Sequence, residues 1–310
     1  MLRRRPSVLP YAAWSVLTVA GCVPTTLSVD DAVVFGAGTL RLTARAEHET
    51  VLGLRAGIGG VAVRFLVHGR EVAHDSTDAR GRATASCEPP VAPVTEFQAV
   101  ITEKPPGLQT TGRIFVWTPD RPIIAVDIDK TISDTDYDDL ILRRRDAESR
   151  ALPGATEALD ALAADFYIAY VTARPHFLLE KTRRWLADNR FPAGPVVTAP
   201  RLRDLVRPGK VKRRTLAALR RDWPNLLIGI GNSEVDAYAY GANGMLTLVL
   251  KRSPERWYGE HAIVLPNWEA IRCFFAANRQ TLTDLDKLRS AIAGETMLLR
   301  PVLPWREGES

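Results

Sequence analysis

Cysteine and histidine are scarce in this chain, and neither residue type is grouped. The three cysteines are Cys22, Cys87 and Cys273. They lack the close pairs of a zinc site and the density of a disulfide scaffold. None of the five histidines stands at metal-ligand spacing from another. The sequence therefore gives no sign of a zinc centre or of a fold held together by disulfides.

A long hydrophobic run is also missing. The mostly apolar stretch over residues 8–19 is too short to span a bilayer. Arginines at residues 3–5 precede it, and small residues and Cys22 follow it, which is the layout of a secretory signal peptide. The segment L-T-V-A-G-C, which ends at Cys22, resembles the lipobox of bacterial lipoproteins. That resemblance implies a signal segment over residues 1–22 and acylation of Cys22.

Such an anchor would place the protein in a bacterial cell envelope, facing the periplasm or the exterior. The alternative is an uncleaved amino terminus, which would leave the protein cytoplasmic or membrane-associated. The net charge of +5 and the pI of about 9.2 fit an anionic partner or a membrane surface without requiring either. A length of 310 residues, 46% of them hydrophobic, suggests two globular domains.

Residues 30–118 have the pattern of an all-β domain. Apolar residues alternate along residues 61–67, and the stretch around Gly81 has the composition of a turn between strands. The run G-G-V-A-V-R-F-L-V-H-G resembles bacterial immunoglobulin-like repeats, which implies a small immunoglobulin-like β-sandwich. No chemistry is visible in this region. Pro119 and Pro122 mark its end.

Residues 120–298 alternate apolar strands with helical patterns, which indicates βαβ units and a parallel sheet of the α/β class. Three long apolar strands are predicted over residues 123–126, 166–171 and 226–230. Shorter strands are predicted over residues 196–198 and 245–250, and helices over 155–164, 177–189, 212–221, 267–277 and 282–292.

Each long strand is followed by polar residues. Asp127 and Asp129 follow the first, Thr172 follows the second, and Asn232 and Asp236 follow the third. Ligands in open α/β sheets bind at the carboxyl ends of the strands. The sequence therefore predicts an active site where these residues meet.

This ordered set resembles the haloacid dehalogenase superfamily of phosphotransferases. The first family motif, D-x-D-x-T, is present from Asp127 to Thr131, and its second is present as Thr172. The resemblance implies a Rossmann-like sheet, Mg²⁺ as cofactor, Asp127 as nucleophile and Asp129 as the residue that moves protons. Phosphatases and phosphomutases of the superfamily keep the second aspartate, so Asp129 favours their chemistry.

The resemblance also assigns the remaining site residues. The phosphate-binding set is predicted to be Thr131, Thr172, Arg174 and Lys212. The predicted metal ligands are Asp127, Asp129 (through its main-chain carbonyl), Asn232 and Asp236. Lys210 also qualifies as the family lysine, but Lys212 is favoured because Leu216 follows it four residues later, as in lipin-type enzymes.

A closer resemblance is to the lipin and LNS2 group of phosphatidate phosphatases, with the App1-type enzymes also similar. D-I-D-K-T is similar to their D-I-D-G-T, Y-V-T-A-R to their Y-L-S-A-R, and G-N-S-E-V-D-A-Y to their fourth motif. This implies hydrolysis of phosphatidate to diacylglycerol, or of a related lipid phosphate. The alternatives are a phosphatase of a soluble or polymer-borne phosphoester and a catalytically silent phosphatidate-binding module. Lys130, where lipins have glycine, departs from the pattern.

The gaps over residues 133–152 and 176–211 are too short for the cap domain that covers the site in many relatives. An uncapped site suits a membrane-embedded substrate. A band of basic residues lies beside the site. It is interpreted either as a surface that contacts an anionic head group or membrane, or as a solvated helix face. Nucleic acid is disfavoured because stacking aromatics are scarce there. The band comprises Arg201, Arg203, Arg207, Lys210, Lys212, Arg213, Arg214, Arg220 and Arg221. The acidic residues after the first motif are predicted to form a solvated loop: Asp134, Asp136, Asp138 and Asp139.

Overall fold

The computed structural model describes residues 26–49, 55–102, 107–135, 149–199, 208–252 and 262–298. The predicted signal segment with Cys22 lies outside these residues. In this part of the chain, no helix has the length and apolar character needed to cross a membrane. The following predicted residues also lie outside it: Asp136, Asp138, Asp139, Arg201, Arg203 and Arg207.

The amino-terminal region is all β, as the alternating pattern predicts. One sheet pairs β1, β3, β4 and β7, and a second has the order β2-β9-β8-β5-β6. Side chains from both sheets form one core, with Phe65 and Phe97 among its largest members. The strands are β1 Thr26–Val29, β2 Ala32–Phe35, β3 Leu40–Glu49, β4 Arg55–Gly57, β5 Ala62–Val67, β6 Arg70–Ser76, β7 Arg82–Cys87, β8 Val94–Ile101 and β9 Gln109–Trp117. The likeness to immunoglobulin domains stays a prediction.

The carboxyl-terminal region is built on a six-stranded parallel sheet, which confirms the α/β prediction. Its order is β12-β11-β10-β13-β14-β15. The strands are β10 Ile123–Val126, β11 Tyr167–Pro175, β12 Val196–Ala199, β13 Leu226–Gly231, β14 Leu246–Leu250 and β15 Ile263–Leu265. The helices are α1 Ala155–Ala163, α2 Leu179–Asp188, α3 Pro208–Asp222, α4 Glu234–Gly241, α5 Trp268–Ala277, α6 Arg279–Leu282 and α7 Leu285–Ile292.

Both faces of this sheet are covered, which explains why β10 and β13 are apolar throughout. Leu159 of α1 and Ile271 of α5 pack on one face. Leu216 of α3 and Tyr240 of α4 pack on the other, together with Trp117 from the end of β9. Parallel strands enclosed in this way bury the side chains of successive residues alike.

The strand order reverses direction at β10, which pairs with β11 on one side and β13 on the other. Beyond each neighbour the chain continues outward, to β12 and to β14 and β15. Such a switch point leaves a crevice at the carboxyl ends of the central strands, where open α/β sheets bind ligands. The predicted site residues follow these strands.

Several boundaries differ from the prediction, and the short helix α6 was not predicted. Helix α3 begins at Pro208 and not at residue 212. Strand β11 continues to Pro175, so Thr172 and Arg174 lie within it rather than after it. A 3₁₀ turn over His176–Leu178 then precedes α2, which begins at Leu179. The last helix begins at Leu285 and not at residue 282, because the Asp284 side chain accepts hydrogen bonds from the main-chain N–H groups of residues 286 and 287. Strand β15 was not predicted.

Candidate active site

Asp127, Lys212 and Asp236 form a buried charged cluster at the switch point. The Lys212 Nζ donates to Asp127 Oδ1 at 2.7 Å and also to Asp236 Oδ1. Asp127 follows β10, Lys212 lies in the second turn of α3, and Asp236 lies in the first turn of α4. Three separate elements therefore bring together the residues that the first, third and fourth motifs predict.

The start of α4 fixes the direction of Asp236. The Ser233 hydroxyl caps the helix by accepting from the main-chain N–H of Asp236, and it donates to Asp236 Oδ2 at 2.7 Å. The main-chain N–H of Asn232 also donates to that oxygen, at 3.2 Å. Gly231 is required here, because a Cβ at this position would lie 2.5 Å from the Asp236 Cβ. The polar run after β13 thus aims one carboxylate oxygen at Lys212 and holds the other.

The pKa values of the two buried carboxylates shift in opposite directions. Burial, together with repulsion from Asp236 and Asp129, outweighs the attraction of Lys212 and raises the pKa of Asp127 to about 7. Burial also opposes ionisation of Asp236, but Lys212 and the hydrogen bonds from Ser233 and Asn232 hold its pKa below the usual range. Burial favours a neutral Lys212, yet the two carboxylates keep its pKa well above its ordinary value. The cluster thus contains two carboxylates and a single ammonium group to neutralise them.

Asp129 lies on the other side of the crevice, against Arg174. The Arg174 Nη2 is 2.6 Å from Asp129 Oδ1, and its Nε is 3.0 Å from Oδ2. The Thr172 hydroxyl lies 3.5 Å from Asp129 Oδ2. Arg174 was predicted to bind phosphate; the structure places its guanidinium in a two-pronged contact with Asp129, which fixes the plane of that carboxylate.

Thr131 connects the first and fourth motifs. Its side chain is buried, and its hydroxyl lies 3.2 Å from Asp127 Oδ2 and 3.3 Å from Asn232 Oδ1. The indole N–H of Trp268 donates to the main-chain carbonyl of Thr131 at 2.8 Å. Helix α5 therefore holds the loop of the first motif in place, a contact that no sequence pattern predicts.

The donor set fits a divalent cation that prefers oxygen. Carboxylates of Asp127 and Asp236 and the amide oxygen of Asn232 surround one side of the crevice, and Mg²⁺ takes such ligands together with water. The raised pKa of Asp127 is the physical sign that another positive charge would be stabilising there. Within the described residues, no three His, Cys, Asp or Glu side chains are grouped to hold a metal, so the amide and main-chain oxygens would have to contribute.

Lys130 stands in a backbone conformation that glycine adopts more readily than other residues. Its φ is +58°, in the left-handed region, where glycine is unstrained and other L-residues are disfavoured. Its Nζ donates to the main-chain carbonyl of Asp134 at 2.8 Å, across the turn. A glycine at this position could adopt the same turn but would lack this side-chain hydrogen bond.

Substitutions at residue 130 are expected to follow this backbone requirement. Lys130→Gly and Lys130→Asn should lie within about 0.5 kcal/mol of the wild type in the free energy of unfolding, because both residues tolerate a positive φ. Lys130→Val should lose about 1–2 kcal/mol more, because a β-branched side chain is strained there. Urea denaturation measures the series; a valine variant as stable as the glycine variant would contradict the expectation.

The other residues predicted near the site differ in their exposure to solvent. Lys210 is exposed, whereas Lys212 is buried between the carboxylates. Asp134 is also exposed, yet its side chain accepts from the main-chain N–H of Arg150 at 2.8 Å, so it joins the two ends of the segment that follows the first motif. A small cavity lies beside Thr172 and Lys212. Its other lining residues are Val171, Ala173, Ala199, Val211 and Thr215.

Comparison with known proteins identifies similarity over the same region. Residues 124–247 match the family model described as the LNS2 domain of PITM 1-3. Phosphatidic acid phosphohydrolase 1 of Saccharomyces cerevisiae is 31% identical over 118 residues, which are 36% of this chain and 12% of the yeast protein. This chain therefore spans only a small part of that relative.

Solved structures are similar at low sequence identity. A haloacid dehalogenase-like family hydrolase from Streptococcus pneumoniae is 13% identical with a TM-score of 0.39, covering 50% of this chain and 99% of that one. A haloacid dehalogenase-like hydrolase from Xanthomonas campestris is 16% identical with a TM-score of 0.37, covering 55% and 98%. The segment that carries β10, β11, β13 and their polar ends is thus the segment that matches an LNS2 domain model.

Proposed function

We propose that this protein is a phosphomonoester hydrolase that acts through an aspartyl-phosphate on Asp127, and that its substrate is a lipid phosphate such as phosphatidate. The observation that carries the proposal is the pair of aspartates after β10. Asp127 is held by Lys212 and Thr131, and Asp129 is held separately by Arg174. Two carboxylates in different environments, two residues apart, suit one nucleophile and one proton carrier.

In the first step a carboxylate oxygen of Asp127 attacks phosphorus. The bond from phosphorus to the leaving oxygen breaks, and protonated Asp129 gives its proton to that oxygen, which leaves as an alcohol. In the second step Asp129 takes a proton from water as the water oxygen attacks phosphorus. The Asp127–phosphorus bond then breaks and inorganic phosphate leaves, so that both aspartates return to their starting states.

The surrounding residues would stabilise the charge on the phosphoryl group. Lys212 would offset negative charge on the phosphoryl oxygens, and the hydroxyl of Thr172 would donate to them. Mg²⁺, when held by Asp127, Asp236, Asn232 and the main-chain carbonyl of Asp129, would supply further positive charge beside the phosphate. This role agrees with the pKa of Asp127, which burial and the neighbouring carboxylates raise despite the attraction of Lys212.

Similarity to known proteins supports a lipid substrate. The matched segment is similar to an LNS2 domain and to a yeast protein named phosphatidic acid phosphohydrolase 1. The lipid anchor predicted at Cys22 would keep the site near a membrane, and it remains a prediction from the sequence.

Phosphate release by the full chain tests the proposal. In mixed micelles with Mg²⁺, the wild type should hydrolyse phosphatidate faster than soluble phosphomonoesters. Asp127→Asn should lose at least about 10³-fold in kcat because the nucleophile is removed. Asp160→Asn, on the exposed side of α1, is the matched control and should retain activity.

Three results would each change the conclusion. A preference for soluble phosphoesters would replace the lipid substrate with the second candidate. Phosphatidate binding without hydrolysis would indicate a silent binding module. Hydrolysis that survives in Asp127→Asn would overturn the aspartyl-phosphate mechanism itself.

A further inference from the structure

A buried carboxylate of the amino-terminal β region is bonded to the region that holds the site. The Asp31 side chain, in the turn between β1 and β2, is only 1% exposed. Its Oδ1 lies 2.9 Å from Arg183 Nη2 in an ion pair, and its Oδ2 accepts from Arg183 Nε at 3.3 Å and from the main-chain N–H of Val196 at 3.0 Å. Arg183 belongs to α2 and Val196 begins β12, so one aspartate ties two elements of the second region to the first.

Arg183 is held from several directions. Its Nη2 also donates to the main-chain carbonyl of Val29 at 3.0 Å, and its Nη1 contacts Glu180 Oε1 at 2.5 Å. The Arg183 side chain is 9% exposed, whereas Glu180 is about half exposed. The contacts to the β region are therefore the buried ones, where a charge pair is least screened by solvent.

The residue before Arg183 continues the connection toward the site. Thr182 is fully buried, and its Oγ1 accepts from Arg174 Nη1 at 3.2 Å. The other two nitrogens of Arg174 are the ones that bind Asp129. Because the guanidinium is a rigid planar fork, a partner on Nη1 sets the direction of Nε and Nη2.

The amino-terminal end of the stretch from Arg174 to Arg183 is also bonded to the β region. His176, two residues after Arg174, has its Nε2 3.0 Å from Ser28 Oγ and its Nδ1 3.2 Å from Thr198 Oγ1. The stretch from Arg174 to Arg183 is thus secured at both ends by residues of β1 and of the turn that follows it. Contacts with the β region therefore lie on both sides of the stretch that connects Arg174 to Thr182.

We propose that Asp31, Arg183 and Thr182 are positioning residues through which the β region sets the direction of Asp129. The inference rests on the proposed function, in which Asp129 protonates the leaving oxygen. A displacement of a proton donor by about 1 Å can lower a rate by as much as about 10²-fold. The β region is then part of the catalytic machinery rather than a spacer.

The test compares substrates that differ in how much they need a proton donor. Alkyl phosphates have poor leaving groups, so cleavage of their ester bond depends on protonation of the leaving oxygen. The leaving group of p-nitrophenyl phosphate is a stable phenolate that needs no proton. The quantity to measure is kcat/KM, because it reports the steps up to transfer of the phosphoryl group to Asp127. A purely structural defect lowers kcat/KM for both substrates alike.

Thr182→Val removes the acceptor for Arg174 and keeps the side-chain shape. We expect kcat/KM to fall about 10-fold for an alkyl phosphate, a part of the factor typical of general acid catalysis, and less than about 2-fold for p-nitrophenyl phosphate. Thr182→Ser retains the hydroxyl and should restore both values. Equal losses with both substrates, no loss with either, or failure of serine to rescue would overturn the inference.

The β region itself is tested by Asp31→Asn, which keeps size and removes charge. It should show the same selective loss with the alkyl substrate, whereas Glu180→Gln, which alters only the exposed partner of Arg183, should not. A non-selective or absent effect in Asp31→Asn would remove the β region from the proposal. A wild type that hydrolyses neither substrate would overturn the proposed function and this inference together, whereas an active wild type with unselective variants would overturn the inference alone.

Discussion

Lys212→Met is expected to lower the free energy of unfolding by about 3–5 kcal/mol and to abolish phosphate release. Lys212 is buried, and its Nζ lies between Asp127 and Asp236. Methionine fills a similar volume but leaves two buried carboxylates facing each other without a counter-charge, and removal of one partner of a buried ion pair has a cost of this size. Chemical denaturation and a phosphate-release assay measure the two effects.

Two further variants make the prediction specific. Lys210→Met, on the exposed side of α3, should change the free energy of unfolding by less than about 0.5 kcal/mol. Adding Asp127→Asn to Lys212→Met should recover part of the lost stability, because one of the two facing charges is removed. Equal effects at residues 210 and 212 would contradict the assignment of Lys212 to the site.

The stability that His176 contributes is expected to depend on pH between about 4 and 6.5. Burial, and the nearby Arg45, Arg183 and Arg55, outweigh the attraction of Asp30 and lower the pKa of His176 to about 4. The unfolded chain, with an ordinary histidine pKa of about 6.5, therefore binds the proton first as the pH falls. The contribution is complete above pH 6.5 and is lost on acidification through this window, by up to about 3 kcal/mol.

The difference between the wild type and His176→Gln isolates this effect. Asp127 titrates in an overlapping range with the opposite sign, because its folded pKa is raised, but both proteins carry Asp127 and the term cancels. The pKa of Asp30 is held below its usual range, so its titration lies at lower pH. Urea denaturation from pH 4 to pH 8 should show the difference growing with pH up to about 6.5 and constant above it. A flat difference would contradict a neutral, buried His176.

The local sequence pattern was sufficient to predict the strands whose ends hold the site residues. The apolar run before Asp127 predicted β10, and the strands before Thr172 and Asn232 were predicted for the same reason. Buried parallel strands are uniformly apolar, so their ends are visible as an abrupt change to polar residues. The match of residues 124–247 to an LNS2 domain model agrees with this segment being the informative one.

A periodic signal for the positioning residues was present in the sequence but carried no functional meaning there. Leu179, Thr182, Arg183 and Leu186 recur at the spacing of one helical face, and all four are buried in α2. The sequence predicted this helix without indicating that its threonine and arginine are buried. It does not identify Asp31 as the partner, since 152 residues separate the two along the chain.

The sequence favoured Lys212 over Lys210, and the tertiary structure supplies the physical reason, since Lys212 lies beside the carboxylates and Lys210 is exposed. Both lie in α3, and two positions on a helix point about 200° apart, so only one can face the carboxylates. Similarly, the D-x-D spacing predicts two aspartates near one site, whereas their separation into one held by Lys212 and one held by Arg174 depends on α3 and β11. Side chains on different elements acquire partners only when the sheet order brings those elements together.

The sequence by itself thus determined the α/β class, the all-β region before it, and the strand ends at which the polar residues lie. These features follow from periodicity and composition, which act over a few residues. The tertiary structure decided which charges meet, that Lys130 stands in a left-handed conformation, and that a carboxylate of the β region binds Arg183. Such contacts depend on packing between distant parts of the chain, and a local sequence pattern does not predict which distant residues will meet.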